Sequence, residues 1–529
     1  MPADQKTTPP VPAALWSRPT GGTRVVETAS AVLCLHGDRV YKRRKPVDPE
    51  PLDARSRAAR LAACRAEVEL NRRLAPDVYL GVADVLGADG AVCDHAVVLR
   101  RLPPGRRLAT LVRRADHVDD HLRAVARAVA AFHERCGTSE MIGRRGDAEA
   151  VTERWKDAFS GLEPFQGKVI DADVVDEIGR LAQRYLAGRG PLLAERRRAG
   201  RIRDGHGDLR ADNIHCLDDG PRILDRVESD PWLRAGDVLG DIAVLAMDLE
   251  QLGSPEDAER LLRWYREYTT PAHPPSLEHF YLAYRACVEA GATCLRYRRI
   301  LAESGADAGP GPGAEAGEQA RRLADIAYRH LRRARVRLVL VGGLPGTGKS
   351  TLARRLADAA DGRLLLRSDA VRAELAADGH ADPNGPGGGP VIPDRPAVPA
   401  DLGASFVWPL SSEITARTYT VLLARAHRAL ERGETVIIDA SWSDGRHRAA
   451  AARLARETAA EFLELRCVTS PEVAAARLTR RDSASDPAGA TSAVHRAMSS
   501  WAEPWPTARV IQTTVPVAEV FHAAERCIA

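Results

Sequence analysis

Several things are scarce in this 529-residue chain, and each scarcity closes off a class of protein. Its nine cysteines are odd in number, scattered, and contain no Cys-x-x-Cys pair. That excludes a disulfide framework or a zinc knuckle and predicts reduced thiols in a cytoplasm. No uninterrupted apolar run approaches the roughly 20 residues of a membrane-spanning helix. Met1 to Leu15 has no basic segment ahead of an apolar one, so no leader is expected. Surplus charge is scarce too: Lys+Arg 76 against Asp+Glu 72 leaves +4. Aromatics make up only 5%, and no basic groove studded with them is visible, which argues against a nucleic-acid partner. The arginine cluster Arg196-Arg197-Arg198 reads as a solvated face. A cytoplasmic enzyme of small molecules is the expectation, with no membrane partner.

The length calls for two or three domains. Residues 1–20, rich in Pro and Thr, read as a disordered lead-in. Glu303 to Gly317 is almost wholly Ala, Gly, Pro, Glu and Asp and has nothing to bury, so 303–330 reads as a linker followed by a connecting helix from Glu318 to Arg333. One domain is expected over 21–302 and a second over 331–529, both α/β.

The sharpest signal lies in the second. Gly343-Leu344-Pro345-Gly346-Thr347-Gly348-Lys349-Ser350 follows the apolar run Val336 to Val341 and opens a helical pattern at Thr351. Strand, glycine-rich turn and helix are what a phosphate-binding loop needs. Glycines let the backbone N–H groups converge on a β-phosphate at a helix N-terminus. Lys349 would reach the β/γ-phosphates and the Ser350 hydroxyl would hold Mg²⁺, so ATP and Mg²⁺ are the expected cofactors.

Further along, Leu364-Leu365-Leu366 reads as a buried strand leading to Ser368, a candidate helix cap, and Asp369, with Arg372 three residues on. A carboxylate in a first helical turn stays ionised and can accept a hydroxyl proton, and Arg372 beside it can hold an anionic group. Thr435 to Asp439 is an apolar strand ending in an acid, placing Asp439 where it could support Mg²⁺. Arg477, Arg480 and Arg481 share one helical face just before Asp482–Thr491, where a lid could carry them to the phosphates. Asp378 to Phe406, rich in Gly and Pro, reads as an insertion.

In the first half the chemistry gathers in His206-Gly207-Asp208-Leu209-Arg210-Ala211-Asp212-Asn213, followed by Arg222-Ile223-Leu224-Asp225. A catalytic Asp five positions before a metal-binding Asn, with a second metal Asp about a dozen residues later, is the kinase-type order. Asp208 would take the acceptor's proton, while Asn213 and Asp225 would hold the hard cation.

On these residues, 25–300 resembles the aminoglycoside-phosphotransferase and choline-kinase-like branch of the kinase fold. The resemblance implies a bracing Asp at Asp241 and a strand Lys paired with a helix Glu, Lys42 with Glu67, for which Lys45 and Glu69 are alternatives. It departs from better-known kinases in lacking a G-x-G-x-x-G loop near residues 30–40 and in carrying Arg226-Val227 after the metal Asp. Residues 335–510 resemble small P-loop kinases of the polynucleotide 5′-kinase, gluconate-kinase and zeta-toxin-like group. The whole chain resembles fused bifunctional aminoglycoside phosphotransferase-like and ATP-binding proteins. That likeness implies an α+β kinase-like domain followed by a parallel-sheet P-loop kinase, with γ-phosphoryl transfer to a sugar, aminoglycoside or nucleoside-like hydroxyl. The competing expectations are a regulatory ATPase with one inactive kinase-like domain, and a polynucleotide 5′-hydroxyl kinase in the second half.

Overall fold

The computed structural model describes residues 8–17, 23–28, 30–46, 56–228, 230–304, 312–377, 412–480 and 492–528. The expected insertion at Asp378–Phe406, the lid at Asp482–Thr491 and Arg481 lie outside the described residues. The chain forms two compact units. One comprises Met1–Ile178, Leu193–His273 and Tyr281–His330; the other comprises Gly179–Leu192, Pro274–Phe280 and Leu331–Ala529. The expected boundary was a single cut in sequence, whereas two short stretches from the first half fold with the second.

The first unit is built on a six-stranded sheet: β1 (Val11–Pro12), β2 (Arg24–Glu27), β3 (Ala31–His36), β4 (Arg39–Arg44), β5 (Tyr79–Leu86) and β6 (Val92–Arg100), in the order β1-β5-β6-β4-β3-β2. Only β1 pairs in parallel, with β5. The β3–β4 hairpin turns at Gly37, whose φ of +60° suits glycine. Cys34, Tyr41, Ala83, Val85, Ala96 and Val98 form the core of one face. Here the lead-in expectation fails for residues 8–17. Trp16 is buried against that face, edge-on to Tyr41, with the Arg43 guanidinium over its ring, so burial of one large aromatic orders a Pro-rich segment.

On the other face lies the helix Arg57–Asn71, started by the Ser56 side chain accepting from the Ala59 N–H. Its Cys64 and Val68 pack on Val97 and Tyr79, which fixes Glu67 over the sheet. Two short ribbons follow, β7 (Ile202–Asp204) with β10 (Ala235–Asp237), and β8 (Ile214–Leu217) with β9 (Gly220–Ile223). The helix Leu239–Gln251 is apolar nearly all round and correspondingly buried. Arg196 is not on a solvated face: it is buried and grips Asp237 through two bonds of 2.9 and 2.7 Å. The low-complexity stretch is also more helical than expected, since helices run Pro275–Ser304 and Pro312–Arg333.

The second unit holds a five-stranded, all-parallel sheet of β11 (Arg337–Gly342), β12 (Arg363–Arg367), β13 (Thr435–Asp439), β14 (Glu461–Val468) and β15 (Arg509–Gln512), in the order β12-β13-β11-β14-β15. The central strand β11 is buried throughout, which explains its apolar run; its one cation, Arg337, is paired with Glu461 at 3.2 Å. β12 was expected to be buried, but it is an edge strand and only Leu366 is fully covered. Among the described residues no helix is long and apolar enough to cross a membrane.

Candidate active sites

In the first unit, β4 and the helix Arg57–Asn71 bring Lys42 Nζ to 2.9 Å from Glu67 Oε1. Of the alternatives, Lys45 instead pairs with Glu27 at 2.6 Å. Lys42 Nζ also lies 3.1 Å from Asp225 Oδ1, joining residues 183 positions apart. Burial alone would lower the Lys42 pKa, but Glu67 and Asp225 outweigh it and raise it, so the ammonium is permanently charged. Desolvation pushes the Asp225 carboxyl up, and Lys42 more than reverses that. Asp225 sits at φ +58°, a strained value for a non-glycine residue. It is held there by its N–H donating to the Tyr79 hydroxyl at 3.2 Å, while the next N–H, of Arg226, donates to Asn71 Oδ1 at 2.8 Å.

The loop His206–Asn213 hangs from Asp241, whose carboxylate accepts the His206 and Gly207 N–H groups and faces His133 Nε2 at 3.2 Å. Burial would raise the Asp241 pKa, yet these partners pull it well below the ordinary carboxylate range. Gly205 is required here, because a Cβ would lie 2.2 Å from Asp241 Oδ2. Burial lowers the His206 pKa. Its neutral ring then donates from Nε2 to the Leu224 carbonyl at 3.1 Å and accepts the Asp208 N–H on Nδ1 at 3.3 Å, which makes it a brace between this loop and the residue before Asp225. Asn213 Nδ2 donates to the Asp208 carbonyl at 3.3 Å, and the Leu224 N–H, next to Asp225, donates to the Asn213 carbonyl at 2.9 Å.

The sequence reading missed four contributors. Arg210 Nε donates to Asp208 Oδ1 at 2.6 Å and its Nη2 to Glu289 at 2.7 Å. Asp248 accepts the Ala211 N–H at 2.8 Å. Arg226, standing where Phe is usual, is fully buried; it donates to the Gly205 and Asp204 carbonyls at 2.8 Å and lies over Phe132. It satisfies two loop carbonyls. Arg44 bonds Glu67 Oε2 at 2.9 Å and also reaches Glu228. Apart from Asp208, two residues from Arg210, these partners are distant in sequence, so spacing alone carried no signal for them.

In the second unit the loop after β11 takes the curled form its glycines allow, with φ of +142°, +82° and +85° at Gly343, Gly346 and Gly348. A Cβ at Gly343 would lie 2.6 Å from the Cys467 carbonyl, and one at Gly346 2.7 Å from that of Ala474. Thr347 caps the turn inward, its hydroxyl donating to the Leu344 carbonyl at 2.8 Å. The helix Lys349–Asp358 starts directly from Gly348. The Pro345 carbonyl accepts from His495 Nδ1 at 2.7 Å, Leu344 is half-buried beside it, and Thr351 continues the first helical turn.

Asp439 is buried at the end of β13, and one of its oxygens has no hydrogen-bond partner. Burial raises its pKa, and the nearby Lys349 ammonium and Ser350 hydroxyl only partly offset that. An orphaned buried oxygen facing that Ser and Lys fits a divalent cation, so Asp439 with Ser350 could hold Mg²⁺. Asp369 lies in the first turn of the helix Ser368–Ala377, but its ion pair is with Arg367 rather than Arg372. Ser368 is the first helical residue rather than the cap before it. Arg372 is lowered in pKa by burial, and its Nε has no partner. Arg477 is tied to the loop's own backbone and to the segment after β15, donating to the Gly346 carbonyl at 3.4 Å and to the Thr513 carbonyl at 2.5 Å. Arg480 stands exposed at the helix C-cap.

A family model described as an AAA domain matches residues 338–505, the stretch that holds the glycine loop, Asp369 and Asp439. Among solved structures, a choline/ethanolamine kinase family protein from Mesorhizobium loti is 15% identical, covering 61% of this chain and 97% of that one at a TM-score of 0.34. A gluconokinase from Sinorhizobium meliloti is 17% identical, covering 36% of this chain and 91% of that one at a TM-score of 0.23. Neither overlap is close enough to carry an argument. Protein Rv2004c of Mycobacterium tuberculosis is 36% identical over 502 residues, 94% of either chain. At that identity and coverage the chain belongs to the family of Rv2004c, with the AAA-domain match confined to its second unit.

Proposed function

We propose that each unit binds ATP with Mg²⁺ and transfers the γ-phosphoryl group to a hydroxyl of a small molecule. The observation that carries the reading is the meeting of Lys42, Glu67 and Asp225 in one unit, in a chain whose other unit has a glycine loop leading into Lys349 and Ser350. Bound Mg²⁺ supplies charge neutralisation across the phosphates. Asn213 and Asp225 hold it in the first unit, Ser350 and Asp439 in the second. Lys42 grips the α/β-phosphates, with Glu67 orienting it. Asp208 accepts the hydroxyl proton as the acceptor oxygen bonds to Pγ and the bond from Pγ to the β-phosphate oxygen breaks. In the second unit the backbone amides of residues 343–348 and Lys349 hold the β- and γ-phosphates, Asp369 takes the proton, and Arg372 holds the acceptor.

The test is a screen of a metabolite pool with γ-labelled ATP, run on wild type, Lys349→Ala and Asp208→Ala. Each variant should lose a different set of labelled products. If no variant changes any product, neither site is catalytic. A second reading is favoured by one contact: Arg210 ties up Asp208 at 2.6 Å, so the first unit could serve as an ATP-sensing module that governs the second. ATP loss that is independent of any acceptor and persists in Asp208→Ala would select it.

A further inference from the structure

Glu67 is 1% exposed, yet it carries two cations, one on each carboxylate oxygen: Lys42 on Oε1 and Arg44 on Oε2, both at 2.9 Å. Lys42 and Arg44 are two apart on β4 and so point to the same face. The surroundings are dry; burial first, then Glu67, pushes the neighbouring Cys64 thiol up to about 12. Arg44 does more than neutralise a buried carboxylate. Its second bond runs to Glu228, three residues beyond Asp225, so one guanidinium ties the strand that carries Lys42 to the loop that carries Asp225.

We infer that Arg44, with Glu228, is a positioning residue of the first site: it keeps Glu67 fixed and the Asp225 loop in register, so that Lys42 can give up Asp225 for nucleotide phosphates without releasing Glu67. This rests on the first-site reading above. A Lys–Glu pair alone leaves one carboxylate oxygen free and the carboxylate able to rotate once a phosphate competes for the lysine. A second cation bonded to the other oxygen removes that freedom. Asp225 meanwhile sits in a strained left-handed conformation, and the Glu228 tie is one of the contacts that hold its loop.

The test is calorimetry of MgADP on the full chain in a Lys349→Ala background, which leaves only the first site to titrate, with thermal melting alongside. Arg44→Gln should weaken MgADP binding tenfold or more, Arg44→Lys should restore part of it, and Glu228→Gln should cost at least threefold with an unchanged melting temperature. Adding Arg44→Gln to Lys42→Ala should cost almost nothing further, because the two act through one carboxylate. Unchanged affinity in Arg44→Gln and Glu228→Gln would overturn the inference while leaving the first-site reading intact. Affinity that falls only in proportion to lost melting temperature, with no rescue by lysine, would reduce Arg44 to a structural residue and also overturn it. If the Lys349→Ala parent takes up no MgADP, the first-site reading itself fails and the inference falls with it.

Discussion

Two buried aspartates show how single residues divide between holding the fold and paying for function. Asp241 has a depressed pKa, so its contribution to stability is fully present above the unfolded carboxylate value of about 3.9 and is lost as pH falls toward its lower folded value. Asp241→Ala should therefore cost about 3 kcal/mol at pH 7 and much less in acid, as read from urea melts across pH. Asp439 is the opposite case. Its pKa is raised, so the ionised form opposes folding, and that penalty is relieved as pH falls through the raised value. Asp439→Asn should stabilise the nucleotide-free protein by about 1 kcal/mol while weakening its stabilisation by MgATP, in paired melts with and without nucleotide. Asp208, Asn213 and Asp225 were candidates from order and spacing alone, because they stand within one short stretch of chain. Arg44, Arg226 and Arg210 were not. Their partners lie 23 and 184, 21 and 22, and 79 residues away, and only the fold brings such pairs together.

At the scale of elements, the glycine loop is the part whose sequence and geometry agree most fully, since strand, turn and helix each had a local cause. Gly346 is its most sensitive point: φ is +82°, and a Cβ would press on the Ala474 backbone carbonyl. Gly346→Ala should cost about 2 kcal/mol in the second unit and abolish nucleotide binding there, while calorimetry still registers uptake at the first site. Elements that depend on their neighbours were harder to read. β12 has the same leucine-rich composition as a central strand but lies at an edge, and nothing within its five residues reveals which. β5 alternates buried and half-exposed positions with Gly81, Ala83 and Asp84 among them, too weak an apolar rhythm to announce a strand. Arg477 has the helical spacing of a lid arginine, yet it is bonded to Thr513, which arrives just after β15 and is 36 residues away.

For the whole molecule, the consequence lies in which pieces of chain make up the second unit. Residues 179–192 and 274–280 belong to it, although both precede its sheet by many residues. Arg189 shows why they matter. Its buried guanidinium donates to the Leu430 carbonyl and, at 2.8 Å, to that of Thr458, the ends of the helices Ser412–Glu431 and Gly445–Glu457. Burial brings its pKa down to about 10, a cost accepted because two helix C-termini gain a cation and their orphan carbonyls gain donors. Beside it Tyr185 stacks on Phe280 at 4.3 Å, and the Ser276 hydroxyl donates to the Gly433 carbonyl at 2.6 Å. A fragment beginning at Leu331 retains the whole AAA-domain match but loses every one of these contacts. It should melt well below the second unit of the intact chain, and Arg189→Met in the full protein should reproduce about 2–3 kcal/mol of that loss. Adding residues 179–192 and 274–280 back as one linked segment should raise the fragment's melting temperature. A fragment 331–529 that melts with the intact chain and binds MgATP equally well would show that these stretches merely rest on a self-sufficient domain.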